Sequence, residues 1–278
     1  NEETIWTGGK DYNRDKKDAG KHIAAIQKLL FDKKYMEAEA MVQDKILADR
    51  LPTGTDTYQM LANLFIETPQ LDSITNYKRE LDINKAIATT TFTNNGVDFK
   101  RAYFSSFPDK TMVYNYTADA KGAINISAWV KRSKQTKISV SENRIEFSEH
   151  IGNGHGVKFH AIIQFQTKGG TLKIENGKLI INDADEVLIK LVASSNYRGL
   201  DPKKEANITL HKIKNFSYDK LLDRHVLDYQ SLFNRVDFKI SDKTGKELPT
   251  DIRLKKVKKG APDNYLTQLQ YQFGRYLL

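Results

Sequence analysis

"VDFKRAYFSSFPDKTMVYNYTAD", residues 97–119, is the stretch whose reading decides the fold. Two runs rich in β-branched and aromatic residues, 97–107 and 111–119, are separated by Pro108-Asp109, a pair that favours a tight turn. In the second run Met112, Tyr114 and Tyr116 fall on one face of a strand, and Val113, Asn115 and Thr117 on the other. A hairpin with two usable faces is a unit of antiparallel sheet that can be packed on either side.

The same texture extends both ways. "ATTTFT" (88–93) precedes it across "NNG"; "GAINISAWV", "VKFHAIIQFQT", "GGTLKIENGKLIIND" and "EVLIKLVASS" follow. Asn176-Gly177 inside "ENGK" is the pair that a two-residue hairpin loop favours. Many short strands with frequent turn signals predict a fold that is mainly β with helices, a large antiparallel β-sandwich over residues 1–200. A helical insertion at about 16–48 interrupts it. There Ile23, Ile26, Leu29 and Leu30 recur at helical spacing, and a second helix is expected to bury Met36, Ala40 and Ile46.

Beyond residue 200 the period lengthens. Asp201-Pro202 can open a helix, and Ser217 can cap a stronger one with Leu221, Leu222, Val226, Tyr229, Leu232 and Phe233 on its apolar face. "VDFKISD" (236–242) reads as a short strand, so 201–242 is expected to be a helical linker with one strand. The last stretch, "NYLTQLQYQFGRYLL", places Leu266, Leu269, Phe273 and Leu277 on one helical stripe with no stop signal behind it. "NEETIWTGG" at the other end has neither an initiator Met nor the pattern of a signal peptide. The chain reads as a segment of a longer polypeptide, and its final stripe expects a partner.

Composition bounds the chemistry. The hydrophobic share of 39% is that of a globular chain, and the absence of Cys excludes disulfides, thiolate metal sites and Cys nucleophiles. No run approaches the ~18 apolar residues of a membrane span. The net charge of +9 is dispersed; the one dense run, "RLKKVKK" (253–259), is read as a solvated connecting segment, and no nucleic-acid partner is expected. "HIGNGHG" (150–156) lacks the Lys-Ser/Thr pair of a phosphate loop and reads as a turn between strands. His155 and His160 are poorly spaced for chelation, and His22, His150, His211 and His225 stand alone, so no metal is expected. Glu146, Glu149, Asp183, Asp185 and Glu186 cluster near strand ends as solvated turns rather than an acid–base pair. No catalytic set and no cofactor follow. Trp129 is assigned to core or sheet surface, while Trp6, ahead of a glycine pair, is free either to pack or to stack on a sugar.

These blocks together resemble a known family. "NEETIWTGGKDYNR", "IQKLLFDKKYMEAEAM", "YKRELDINKAIATTTFTNNGVDFKRAYFSSFPDKTMVYNYTAD", "GVKFHAIIQF", "ADEVLIKLVASSNY", "HVLDYQSLFNRVDF", "LPTDIRL" and "QYQFGRYLL" occur in the order seen in family 95 glycoside hydrolases, the inverting α-L-fucosidases. The resemblance implies an N-terminal sandwich, a helical linker and an (α/α)₆ barrel, of which residues 243–278 would be the start. In that barrel a Glu serves as general acid, and an Asn polarised by an Asp positions the water. None of those residues falls in this chain, so it carries no catalytic residue. Implied partners are a fucosylated glycan, in the full-length enzyme, and the missing barrel. Relatives also act on L-galactosides, and family members are typically exported, which implies a periplasmic or extracellular location. Asn1, Glu2 and Trp6 are the substrate-proximal candidates, at the interface with the barrel. The alternative is a free-standing carbohydrate-binding β-sandwich module.

Overall fold

A computed structural model describes residues 5–8, 15–48, 57–69, 71–240 and 248–278. Two helices come first, α1 (Ile23–Phe31) and α2 (Tyr35–Lys45). Ten strands follow: β1 (Asn63–Glu67), β2 (Ile74–Asp82), β3 (Ile87–Asn94), β4 (Val97–Ser106), β5 (Thr111–Ala118), β6 (Ile124–Lys131), β7 (Lys137–Ser141), β8 (Arg144–His150), β9 (Lys158–Glu175) and β10 (Lys178–Ser195). The described chain closes with α3 (Pro202–Ile213), α4 (Tyr218–Phe233), α5 (Thr250–Lys258) and α6 (Asn264–Leu277).

The architecture hangs on the β9–β10 hairpin. Asn176 and Gly177 both take positive φ (49° and 73°), as the two central residues of a type I′ turn must. Each strand runs 18 residues, and they pair with each other along nearly their whole length. Near the turn, β10 also pairs with β6, which pairs with β1. Farther along, β10 pairs with β5 and β9 with β8, giving the order β2-β3-β4-β5-β10-β9-β8-β7. The register slips between Ile181 and Glu186, and there the ribbon bends. Gly170 sits opposite that slip at φ 70°, and a Cβ on it would lie 2.3 Å from the Asn182 carbonyl oxygen, so only glycine fits. The sequence reading broke this hairpin into four strands at the glycine pair; the bulge keeps them continuous.

The bend folds the sheet over itself. Ile124, Ile126, Ala128, Leu179 and Ile181 from one half meet Ile145, Phe147, Phe159, Ile163, Phe165, Val187 and Ile189 from the other in one buried cluster. The alternation read in β5 holds: Tyr116 joins this inner core, and Val113 faces the opposite way. On that opposite face, Phe104, Val113, Ile162, Leu188 and Val192 receive Ala206, Leu210 and Ile213 of α3 and Leu221 of α4. The helices form a third layer.

A buried lysine joins sheet to helix. Lys190 lies on the helix-facing side of β10, and its Nζ donates to the carbonyls of Ile213 (2.9 Å), Lys214 (3.0 Å) and Phe216 (2.7 Å). These close the C-terminal end of α3, where carbonyls lack helical partners and the helix dipole favours a cation. Burial pushes the ammonium down to about 8, so it still carries three protons for three acceptors at neutral pH. Helix α4 is clamped as firmly. The His225 Nε2–H reaches the carbonyls of Lys85 (2.9 Å) and Ala86 (3.2 Å), and the ring stacks on Phe104. The Tyr229 hydroxyl donates to the Ile83 carbonyl at 2.6 Å. Arg224 donates to Asp109, the buried aspartate of the Pro108-Asp109 turn.

Several expectations change. Met36 is 78% exposed and Ala40 exposed; Ile46 is half-buried, and the buried residues of the α1–α2 hairpin are Ile26 and Ala38. His225 is a fully buried structural histidine. Residues 236–240 form no strand; the Ile240 N–H is taken by the Gln268 side chain, not by a strand partner. "RLKKVKK" is not a connector but most of α5, begun by Pro249 at its N-cap, with Asp251 in the first turn and lysines in the last. Within it Arg253 is buried and makes two hydrogen bonds to Asp263 (2.9 and 2.6 Å), whose carboxylate also caps α6. Helix α6 docks on the end of α4 through Arg275, which donates to the carbonyls of Phe233 and Val236. It buries no residue: Leu266 and Leu269 are half-covered, and Phe273 and Leu277 are exposed.

Candidate functional site

Trp6 is built into the fold by its neighbours. Ile5 is buried in the inner core, and its carbonyl accepts from the Gln59 N–H at 2.8 Å. Trp6 forms an antiparallel bridge with Tyr58, and its carbonyl accepts from the Val157 N–H at 3.1 Å. Thr7 closes the far side: its N–H donates to Thr57, and its hydroxyl accepts from the Thr57 N–H. The segment is therefore held through its backbone between residues 57–59 and the "HIGNGHG" loop.

That loop reads as a turn, and its glycines have a packing reason that the sequence reading did not find. Gly152 holds φ 62°, and a Cβ there would lie 2.2 Å from the Thr7 carbonyl oxygen. The backbones approach too closely for any side chain. His150 secures the loop through Nε2 to the Gly156 carbonyl at 3.1 Å. Residues paired across an antiparallel bridge project to the same side, so half-buried Trp6 and 68%-exposed Tyr58 share one face. Asn1 and Glu2 lie outside the described residues.

Of the five carboxylates picked from sequence, all but exposed Asp183 are structural ties. Glu149 accepts from Ser133 (2.7 Å) and Thr136 (2.6 Å). Asp185 accepts from the Gly122 N–H at 2.8 Å, and Glu186 pairs with Lys168. Asp183 sits at φ 55° in the bulge, where its N–H donates to Asn125. Glu146 lies between Arg144 (2.9 Å) and His160 (3.3 Å). Burial would raise its carboxyl, but the hydrogen bond and charge of Arg144 prevail and hold it below the usual range. His160 is pushed down by burial, with Glu146 partly opposing. Among the described residues no group of three His, Asp or Glu could hold a metal.

Trp129 falls on the outer surface of the β1–β6 half, stacked on Phe65 at 5.1 Å with the Lys178 ammonium 3.8 Å over its ring. Among the described residues no helix is long and apolar enough to cross a membrane.

Residues 1–200 match the family described as glycosyl hydrolase family 65, N-terminal domain, and residues 217–278 match the glycosyl hydrolase family 95 catalytic domain. Alpha-L-fucosidase 2 of Arabidopsis thaliana is 28% identical over 100% of this chain and 37% of its own length. "Probable alpha-fucosidase A" of Aspergillus niger is 25% identical over 80% of the chain and 30% of its own length. The chain thus spans about a third of the curated relatives it matches. A solved structure described as "Putative kojibiose phosphorylase from human microbiome" is 13% identical over 62% of this chain and 28% of its own, with a TM-score of 0.44.

Proposed function

We propose that this chain, which over residues 1–200 belongs to the glycosyl hydrolase family 65 N-terminal domain family, is the non-catalytic N-terminal region of a larger hydrolase of α-L-fucosyl linkages. The observation that carries this reading is the alignment of an alpha-L-fucosidase along 100% of the chain, joined to a family 95 catalytic-domain match that begins at residue 217. In this reading the three-layered body is a scaffold, a barrel beyond α6 supplies the chemistry, and the half-covered face of α6 packs against that barrel. A fucosylated glycan is the substrate, and the site of action is the periplasm or the extracellular medium, as the family resemblance implies.

Trp6, with Asn1 and Glu2, is assigned to the rim of the barrel's pocket. Its support is that half-buried Trp6 and exposed Tyr58 share one face, in a segment held by backbone hydrogen bonds to residues 57, 59 and 157. The 278-residue chain should leave an aryl α-L-fucoside intact, and a polypeptide extended to the length of the relatives should hydrolyse it. In that longer protein Trp6→Ala should change KM or kcat several-fold. Hydrolysis by the short chain would overturn the scaffold role; unchanged kinetics in the variant would remove Trp6 from the rim.

A further inference from the structure

Beyond Tyr116 the inner face of the sheet continues onto β4 and β3, and the start of β6 lies across from it. Between them is a cleft of about 180 Å³. Its apolar walls are Phe92, stacked on Phe99 at 5.1 Å, and Ile124 and Ile126 of β6. Arg101 stands on β4, directly opposite Tyr116 of β5 and diagonal to Phe92 of β3. Its guanidinium carbon lies 5.1 Å from the centre of the Phe92 ring and 5.5 Å from that of Tyr116.

Arg101 is the anomaly in this cleft. Two rings hold its head, but among the described residues its side chain has no ion pair and no hydrogen bond. The other buried or half-buried arginines of the described chain all give their N–H groups to protein oxygens. Arg132 has Glu149 and Gln59, Arg144 has Glu146, Arg253 has Asp263, and Arg275 has the Phe233 and Val236 carbonyls. A guanidinium is always charged and carries five N–H donors, so half-burying it without an acceptor is costly. A methionine would pack on Phe92 and Tyr116 without that cost. None of the Arg101 nitrogens is shut off from solvent, so a ligand in the cleft can reach them. No Asp or Glu lines the cleft, which favours an anion. With aromatic rings flanking it, the guanidinium offers its planar edge, and two parallel N–H groups there match a carboxylate. Asn94, whose side-chain carbonyl accepts from the Ser73 N–H, adds its amide N–H groups to the lining. The hydrocarbon walls suit the body of an organic acid, whereas inorganic phosphate would leave them bare. The volume is below the ~300 Å³ of pockets for drug-sized ligands, so the acid is small.

We propose that this cleft binds a small monocarboxylate with a compact apolar body, its carboxylate gripped by the edge of the Arg101 guanidinium. The site does not depend on the enzyme assignment. The test is a titration of the 278-residue chain with benzoate and butyrate, with benzamide as the neutral match and inorganic phosphate as a second anion, followed by amide chemical shifts. At least one carboxylate should saturate in roughly the millimolar range and move the signals of Arg101, Tyr116 and Ile126. Benzamide should bind at least about tenfold more weakly than benzoate. Arg101→Lys keeps the charge but not the planar fork, and should weaken carboxylate binding about tenfold. Arg101→Met should abolish saturation while leaving the amide signals outside the cleft in place. The proposal falls if neither carboxylate saturates, if benzamide or phosphate binds as tightly, if the moved signals lie elsewhere, or if either variant binds as the native chain does.

Discussion

Lys190 shows what one residue does when its neighbours are fixed. A lysine in the middle of a buried strand looks misplaced in "EVLIKLVASS", yet its three donors match three carbonyls at the end of α3. Lys190→Met keeps the volume and removes the donors. Leaving buried carbonyls unpaired costs about 1–3 kcal/mol each, partly offset because no charge need then be buried. A net loss of about 3 kcal/mol is expected, seen as a fall of roughly 6–12 °C in the melting midpoint. An unchanged midpoint would mean that the lysine is a tolerated passenger. His160 gives a second residue-scale expectation. Burial holds its imidazole below the ordinary 6.5, with Glu146 opposing and Lys203 adding to the depression. Below pH 6.5 the unfolded chain therefore takes up the proton more readily than the folded one, so stability falls as pH drops from 6.5 through the folded value. Denaturant midpoints at pH 7.5 and 5.5 should differ for the native chain and converge in His160→Gln.

At the scale of elements, legibility followed local chemistry. The hairpin β4–β5 and the Asn176-Gly177 turn could be read because β-branching, alternation and turn residues all sit within a few positions of each other. The caps of α3 and α4 were equally local: Asp201 and Ser217 each accept from a backbone N–H three residues on. The continuity of β9 and β10 was not local. Gly169-Gly170 is also the signature of a break, and only the opposing bulge at Asp183 turns it into a bend. β7 and β8 went unread although "KISVSENRIEFSEH" alternates, because polar residues fill their outward positions. The α5 reading failed because lysines dominate "RLKKVKK"; the buried Arg253–Asp263 pair that fixes the helix spans ten residues. Trp6 was singled out as a residue, but its mounting could not be. Its partners, Tyr58 and Val157, lie before β1 and before β9, far from it and from each other along the chain.

For the whole molecule, the long hairpin sets how stability is distributed. β9 and β10 contribute to both halves of the inner core and, through Ile162, Leu188, Lys190 and Val192, to the helix layer as well. Opening the hairpin would therefore take contacts from every layer at once. The α1–α2 hairpin is different: only Ile26 and Ala38 are buried in it, and Phe31, Tyr35 and Met36 face solvent. Opening free energy follows the apolar area a segment buries, so the two regions should separate in amide hydrogen exchange. Amides of Ile162–Phe165 and Val187–Val192 should exchange only by global unfolding, with the denaturant dependence of the whole chain. Those of α1 and α2 should exchange many-fold faster and with a shallower dependence, because they open without the sheet. Equal protection in both regions would show that the insertion is braced by contacts its burial does not reveal. Faster exchange in β9 than in β5 would break the argument that one bent hairpin carries all three layers.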